Sequence, residues 1–168
     1  MSNQSIERIP DGKDVFIDAN ILVYALNGRS IQCKRLLERC VNEQLTGICL
    51  FEIVNEATHK LMLAEARSKG LISKELASHL KQSHVVIRKL TDYWTETERI
   101  LNLNLLFLST DDFIVRAAQV ERSGAGLLTN DSMIVSCMRN LGISSLATTD
   151  ADFERVYGIV IYKPDDLA

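Results

Sequence analysis

The sequence lacks the features that identify zinc proteins, membrane proteins and P-loop nucleotide-binding proteins. Its four cysteines form no C-x-x-C pair and have no histidine within two residues, which argues against a zinc site. No stretch approaches the roughly 20 consecutive apolar residues of a transmembrane helix, and the polar N-terminus contains no hydrophobic signal segment. A glycine-rich phosphate loop is also absent. We therefore expect a cytoplasmic protein with no membrane association, whose cysteines are reduced thiols in the core.

The remaining composition is that of an ordinary globular protein. The chain has 168 residues, of which 46% are hydrophobic and 24% charged, so we expect a single domain spanning residues 1–168. Short apolar segments alternate with segments of helical periodicity. The predicted strands are residues 14–17, LTGICL, LNLLFLS, SSLATTD and IVIYKP. This alternation predicts an α/β fold with a central parallel sheet covered by helices on both faces.

Two helices have specific predicted boundaries. Ser73 is predicted to cap one long helix whose apolar positions extend to Trp94. A capping box formed by Ser109 and Asp112 is predicted to begin a later helix, which would end at Gly124.

Acidic residues follow several of the predicted strands. Asp18 follows VFI, Asp150 follows SSLATT, and Asp131 follows GLLTN in the first turn of a helix. Glu56 lies on the helix after GICL, with Glu52 one turn earlier as a competitor. In an open parallel α/β sheet, ligands bind beyond the carboxyl ends of the strands, so these carboxylates are candidates for one site.

Helix capping alone could explain Asp131 or Asp150, because an aspartate at a helix N-terminus accepts hydrogen bonds from free N–H groups. Asp18 is different, since it is embedded in the apolar stretch VFIDANILVYAL, where an unpaired carboxylate is costly. Carboxylates that converge at one sheet edge repel one another, and a hard divalent cation removes the conflict. All-oxygen ligands indicate Mg²⁺ or Mn²⁺.

Basic residues are concentrated in one region of a chain whose net charge is -3. Residues 59–89 carry seven Lys or Arg against two acids, whereas residues 91–168 carry six against twelve. We interpret the basic region either as two solvated helices or as a positive face that binds RNA phosphates beside the acidic site. The candidate RNA-binding residues are Lys60, Arg67, Lys69, Arg88 and Lys89.

The order of the acids resembles the PIN-domain family, which includes nuclease toxins of the VapC type. FIDANILVYAL resembles the family's first acid motif, IVNEATHKL its second, and LLTNDSMIVSCMRNLGISSLATTDADFERVYGIVIYKP its third and fourth. The resemblance implies an α/β/α sandwich, Mg²⁺- or Mn²⁺-dependent cleavage of single-stranded RNA, a homodimer and, in the toxin group, an antitoxin partner. It assigns the catalytic and metal-binding acids to Asp18, Glu56, Asp131 and Asp150, with Asp152 as a rival for the fourth place, and supporting roles to Asn20 and Thr129.

Three alternatives fit the sequence less well than a metal-dependent nuclease. A non-catalytic RNA-binding or protein-interaction module on the same fold has no need for clustered carboxylates. A small-molecule phosphatase would require a second aspartate at the position that Asn20 occupies in the sequence DAN. A di-iron bundle would need a second copy of the Glu56-x-x-His59 pair and an all-helical chain.

Overall fold

A six-stranded parallel sheet forms the centre of the computed structural model, which describes residues 4–81 and 84–167. Its strands are β1 (Gln4–Ser5), β2 (Asp14–Ile17), β3 (Thr46–Leu50), β4 (Leu106–Leu108), β5 (Ser145–Ala147) and β6 (Val160–Lys163), in the order β1-β6-β5-β2-β3-β4. Consecutive residues of β2, from Val15 to Ile17, are at most 1% exposed. Burial on both sides of one strand is what a sheet between two helical layers requires.

Eight α-helices surround the sheet in the described part of the chain. They are α1 (Ala19–Leu26), α2 (Ile31–Val41), α3 (Phe51–Ser68), α4 (Ala77–Lys81), α5 (His84–Ile87), α6 (Asp92–Leu101), α7 (Asp112–Ala125) and α8 (Thr129–Leu141). Helix α1 packs against α2 and α3, α3 packs against α6, and α7 packs against α8. The predicted three-layer α/β/α sandwich around a parallel sheet is therefore confirmed.

The core also contains the four cysteines. Cys33, Cys40, Cys49 and Cys137 are free and buried, as the sequence predicted. Burial raises the pKa of each thiol, to about 12 for Cys49 and about 11 for the other three. Buried thiols with raised pKa values are unreactive, so these residues serve packing. Among the described residues, no helix combines the length and apolar character needed to cross a membrane.

The prediction of one long helix after Ser73 is wrong. The segment is divided into α4, α5 and α6, and residues 82–83 lie outside the described residues. Leu80 and Leu90 pack with Leu63 and Ala66 in a small cluster separate from the main core. Residues 88–91 are not helical, so Leu80 and Leu90 do not lie on one continuous helix.

The prediction of a capping box at Ser109 and Asp112 is also wrong. Asp111 is the N-cap of α7, where its Oδ1 accepts a hydrogen bond of 3.0 Å from the backbone N–H of Ile114. The helix ends at Gly126 rather than Gly124, because Gly126 adopts the left-handed conformation (φ 68°) that terminates helices. The cap of this helix is therefore Asp111, one residue before the predicted Asp112.

Candidate active site

Asp18 lies where the strand order reverses, at the carboxyl ends of the neighbouring strands β2 and β5. Its side chain is the N-cap of α1 and accepts a 2.6 Å hydrogen bond from the backbone N–H of Ala19. The hydroxyl of Thr148, just after β5, donates a 2.8 Å hydrogen bond to the other carboxylate oxygen. Asp18 is only 4% exposed, and this burial raises its pKa despite the bond from Thr148. The position is the usual ligand site of a doubly wound sheet.

Glu56 lies on α3 and is held by two donors. Lys60, one turn further along α3, forms a 2.8 Å ion pair with Glu56 Oε1, and Asn130 Nδ2 donates a 2.7 Å hydrogen bond to Oε2. Burial opposes ionisation of Glu56, but the contacts with Lys60 and Asn130 outweigh it and lower the pKa. Lys60 Nζ also donates a 2.7 Å hydrogen bond to Asn20 Oδ1, and Asn20 Nδ2 lies 3.4 Å from Asp18 Oδ2. The first two acids are therefore joined through Asn20 and Lys60.

Asp131 brings the other acids into one electrostatic group. Burial, followed by the negative charges of Asp18, Asp150, Glu56 and Asp152 in that order, raises its pKa to about 6. In the described chain, no hydrogen bond or ion pair joins the Asp131 carboxylate to another residue. A half-buried carboxylate without a partner, surrounded by four others, is a common property of active sites.

Asp150 and Asp152 both lie within electrostatic reach of Asp131 but have different environments. Asp150 Oδ1 accepts a 2.8 Å hydrogen bond from the backbone N–H of Asp152, and its own N–H donates to Thr148 Oγ1. Asp152 forms a 3.0 Å ion pair with Arg155 at the surface. The geometry therefore favours Asp150 as the inner acid and Asp152 as a peripheral one.

Glu52, the competitor of Glu56, points elsewhere. It accepts a short hydrogen bond from the hydroxyl of Thr110, beyond the end of β4, and its second carboxylate oxygen is buried without a hydrogen-bond partner. Its charge raises the pKa values of Cys49 and Cys137 rather than that of Asp131. The structure therefore brings Glu56, and not Glu52, to the acidic group.

Thr129 and the candidate RNA-binding residues are more scattered. Thr129 begins α8 and is exposed. Arg67 and Lys69 are engaged with Glu75 and Glu65, respectively, and Lys69 also pairs with Asp92. Arg88 and Lys89 are exposed and have no ion pair within the described ranges. Lys60 belongs to the acidic group itself.

Sequence reasoning missed Thr148 and Asn130. A signal for Thr148 was available, because it follows a strand in ATTD at the same sheet edge as Asp18. Asn130 directly precedes Asp131, but nothing in the sequence indicates that its amide turns towards α3.

The donor set is chemically suited to a hard divalent cation, because it consists of carboxylates just after β2, on α3, on α8 and in the segment after β5. Among residues 4–81 and 84–167, however, no three acidic, histidine or cysteine side chains are arranged to hold an ion as they stand. Protein groups contact two of the carboxylates instead: Lys60 and Asn130 contact Glu56, and Thr148 contacts Asp18. Among these side chains, the unpartnered carboxylate of Asp131 is the one best suited to serve as a cation ligand.

Comparisons with known proteins identify the family. The PIN domain profile matches residues 15–159. Ribonuclease VapC6 of Methanocaldococcus jannaschii is 28% identical over 153 residues, which cover 89% of this chain and 97% of that protein. Ribonuclease VapC2 of the same organism is 26% identical over 84% of this chain and 88% of that protein. The VapBC2 structure from Rickettsia felis bound to promoter DNA has a similar fold, with a TM-score of 0.57, 16% identity and coverage of 89% of this chain and 98% of that one. A toxin-antitoxin complex from Klebsiella pneumoniae gives a TM-score of 0.56 at 17% identity, covering 87% of this chain and 95% of that one. The chain therefore belongs to the PIN-domain family.

Proposed function

We propose that this PIN-domain protein is a Mg²⁺- or Mn²⁺-dependent endoribonuclease that cleaves single-stranded RNA. The observation that carries the proposal is Asp131, a half-buried carboxylate without a partner whose pKa is raised to about 6 by burial and by four other acids. In a purely structural protein, repulsion among these carboxylates would only destabilise the fold, whereas in a metal-dependent nuclease the same carboxylates bind the catalytic ion. Two relatives of nearly full-length coverage carry the name ribonuclease, which supports the same reaction class.

We assign the following roles to residues of this chain. Asp18, Glu56 and Asp131 would hold the principal ion, and Asp150 would complete the site, with Asp152 at its periphery. The bound ion would supply Lewis-acid activation of the phosphodiester and of water. Thr148 and Asn130 fix the rotamers of Asp18 and Glu56, while Asn20 links these two acids through Lys60. Exposed Arg88 and Lys89 are the candidate residues with charge still available for RNA phosphates.

Three of the solved structures with a similar fold are VapBC or toxin-antitoxin complexes, so we extend the proposal to the biological role. The chain would be the cytoplasmic toxin of such a pair, assembled as a homodimer and inhibited by a small antitoxin.

The first test is cleavage of a labelled single-stranded RNA with Mn²⁺ by the parent and by Asp18→Asn. We expect Asp18→Asn to lose at least 100-fold in rate, because it removes the most buried acid of the group. Asp14→Asn is the matched control, since Asp14 is an exposed aspartate at the opposite end of the same strand. Equal rates for the parent and Asp18→Asn would contradict the proposal.

One observation favours the non-catalytic module as a second candidate, namely that protein groups already satisfy Asp18 and Glu56. Thermal unfolding with millimolar Mn²⁺ separates the two candidates. A nuclease of the proposed kind is stabilised in proportion to the logarithm of metal concentration, whereas the module shows no shift.

A further inference from the structure

Lys60 is a cation placed inside the acidic group. Its ammonium contacts two elements at once, Glu56 Oε1 on α3 at 2.8 Å and Asn20 Oδ1 on α1 at 2.7 Å. Its side chain is about one-third exposed (34%), as is that of Glu56 (30%), so the pair lies in the wall of the site and not on the open surface. An ordinary i,i+4 pair on a helix surface makes no such bridge to a second helix.

The influence of Lys60 extends beyond its direct partner. Its charge favours the ionised form of Asp18, against the effect of burial. By contrast, the charges that raise the pKa of Asp131 are those of four other acids. Lys60 is therefore a positive charge at the Asp18–Glu56 side of the acidic group, whereas Arg155 pairs with the peripheral Asp152.

We propose that Lys60 is the resident counter-cation of the acidic site: it compensates the carboxylates while no divalent ion is bound, and it lowers the affinity of the site for that ion by charge repulsion. This inference rests on the proposed metal dependence. It makes Lys60 a positioning residue that also sets the metal concentration at which the site is occupied.

The direction of the effect can be argued because Glu56 has a second anchor. When the charge of Lys60 is removed, Asn130 still donates to Glu56 Oε2 at 2.7 Å and keeps the carboxylate oriented. The site then carries one more uncompensated negative charge. For charges a few ångströms apart in a partly exposed site, we expect Mn²⁺ to bind about tenfold more tightly. The metal-free protein should in turn unfold about 3 °C lower, because the acids repel one another without compensation.

The experiment is calorimetric titration of the full chain with Mn²⁺ at pH 8, together with thermal unfolding in EDTA. The variants are Lys60→Met, which keeps the length but removes the charge, and Lys60→Arg, which keeps the charge. Lys74→Met is the control, since Lys74 is exposed and lies outside the acidic group.

The inference predicts that Lys60→Met binds Mn²⁺ about tenfold more tightly than the parent and unfolds at a lower temperature in EDTA. Lys60→Arg and Lys74→Met should remain within about twofold of the parent. A merely structural role predicts the opposite sign, because a disordered site binds metal more weakly. Unchanged or weaker binding by Lys60→Met, in a parent that does bind Mn²⁺, overturns the inference alone. If neither the parent nor any variant binds Mn²⁺, the metal-dependent function fails and the counter-cation role fails with it.

Discussion

Replacing Asp131 by Asn should stabilise the metal-free protein. Burial, together with the charges of Asp18, Asp150, Glu56 and Asp152, raises the pKa of Asp131 from the ordinary 3.8 to about 6. Because the folded state holds this proton more tightly than the unfolded state, the cost to stability is absent below about pH 3.8. It increases as the pH rises and is complete above about pH 6.

The size of the effect follows from the same shift. A pKa difference of this size corresponds to at most about 3 kcal/mol of unfolding free energy. Partial exposure of the Asp131 carboxylate screens part of this repulsion. The substitution also removes a negative charge from the first turn of α8, which costs about 0.3–1 kcal/mol. We therefore expect Asp131→Asn to raise the unfolding free energy by about 1–2 kcal/mol at pH 8, and by about half as much at pH 5.

The assay is urea unfolding in EDTA at both pH values. Asp112→Asn is the control, because Asp112 is in the first turn of α7 but is 85% exposed and, among the described residues, forms its ion pair with Arg116. It should not stabilise the protein and should cost at most about 1 kcal/mol, the effect of losing a first-turn carboxylate. Added Mn²⁺ should stabilise the parent more than Asp131→Asn. If Asp131→Asn is less stable than the parent at pH 8 without metal, the acids do not repel one another as described, and the reasoning is refuted.

Two further predictions concern the region between α3 and α6. Glu65→Gln should lower the unfolding free energy by about 2 kcal/mol, because the almost fully buried carboxylate accepts hydrogen bonds from backbone N–H groups that begin α6 and from a lysine. These contacts lower the pKa of Glu65 to about 2, so the stability that the carboxylate contributes is present above about pH 4.5 and is lost as the pH falls towards 2. The unfolding free energy of Glu65→Gln should therefore depend less on pH in this range than that of the parent. An unchanged pH profile would contradict this role. Substituting Arg88 and Lys89 together by Gln should reduce the slope of log affinity for single-stranded RNA against log salt by about 1.4, whereas an unchanged slope would exclude phosphate contacts there.

The sheet and the first acid were predictable because their signals are local. VFIDAN shows an apolar strand that ends in a carboxylate, and the chain after it repeats strand and helix in alternation. A parallel sheet then brings the ends of its strands to one edge, so Asp18 and Asp150 could be expected near each other without any knowledge of side-chain contacts.

The division of residues 73–101 into three helices was not predictable, because it depends on tertiary contacts. The apolar spacing of Leu80, Leu90 and Trp94 fits one helix, but two of these side chains pack on α3 and the chain turns between them. In the structure Glu65 reaches from α3 to the N-terminus of α6. A helix cap supplied by a residue this distant in the sequence produces no recognisable sequence pattern.

The contacts of Lys60 with the acidic group were not predictable from composition, for a related reason. Composition placed it in a basic region, whereas the turn of α3 that follows Glu56 directs it into the acidic group. A count of charges along the sequence does not distinguish the different faces of a helix, which contact different parts of the folded protein.

The most direct test of the central claim is a crystal structure of the parent protein grown with Mn²⁺ and measured at the manganese absorption edge. The claim is that Asp18, Glu56, Asp131 and Asp150 form one cation-binding site. It predicts an anomalous peak within ligand distance, about 2.0–2.3 Å, of carboxylate oxygens from at least two of these residues. A well-ordered protein with no peak there, or with manganese bound only at other surface carboxylates, would contradict it.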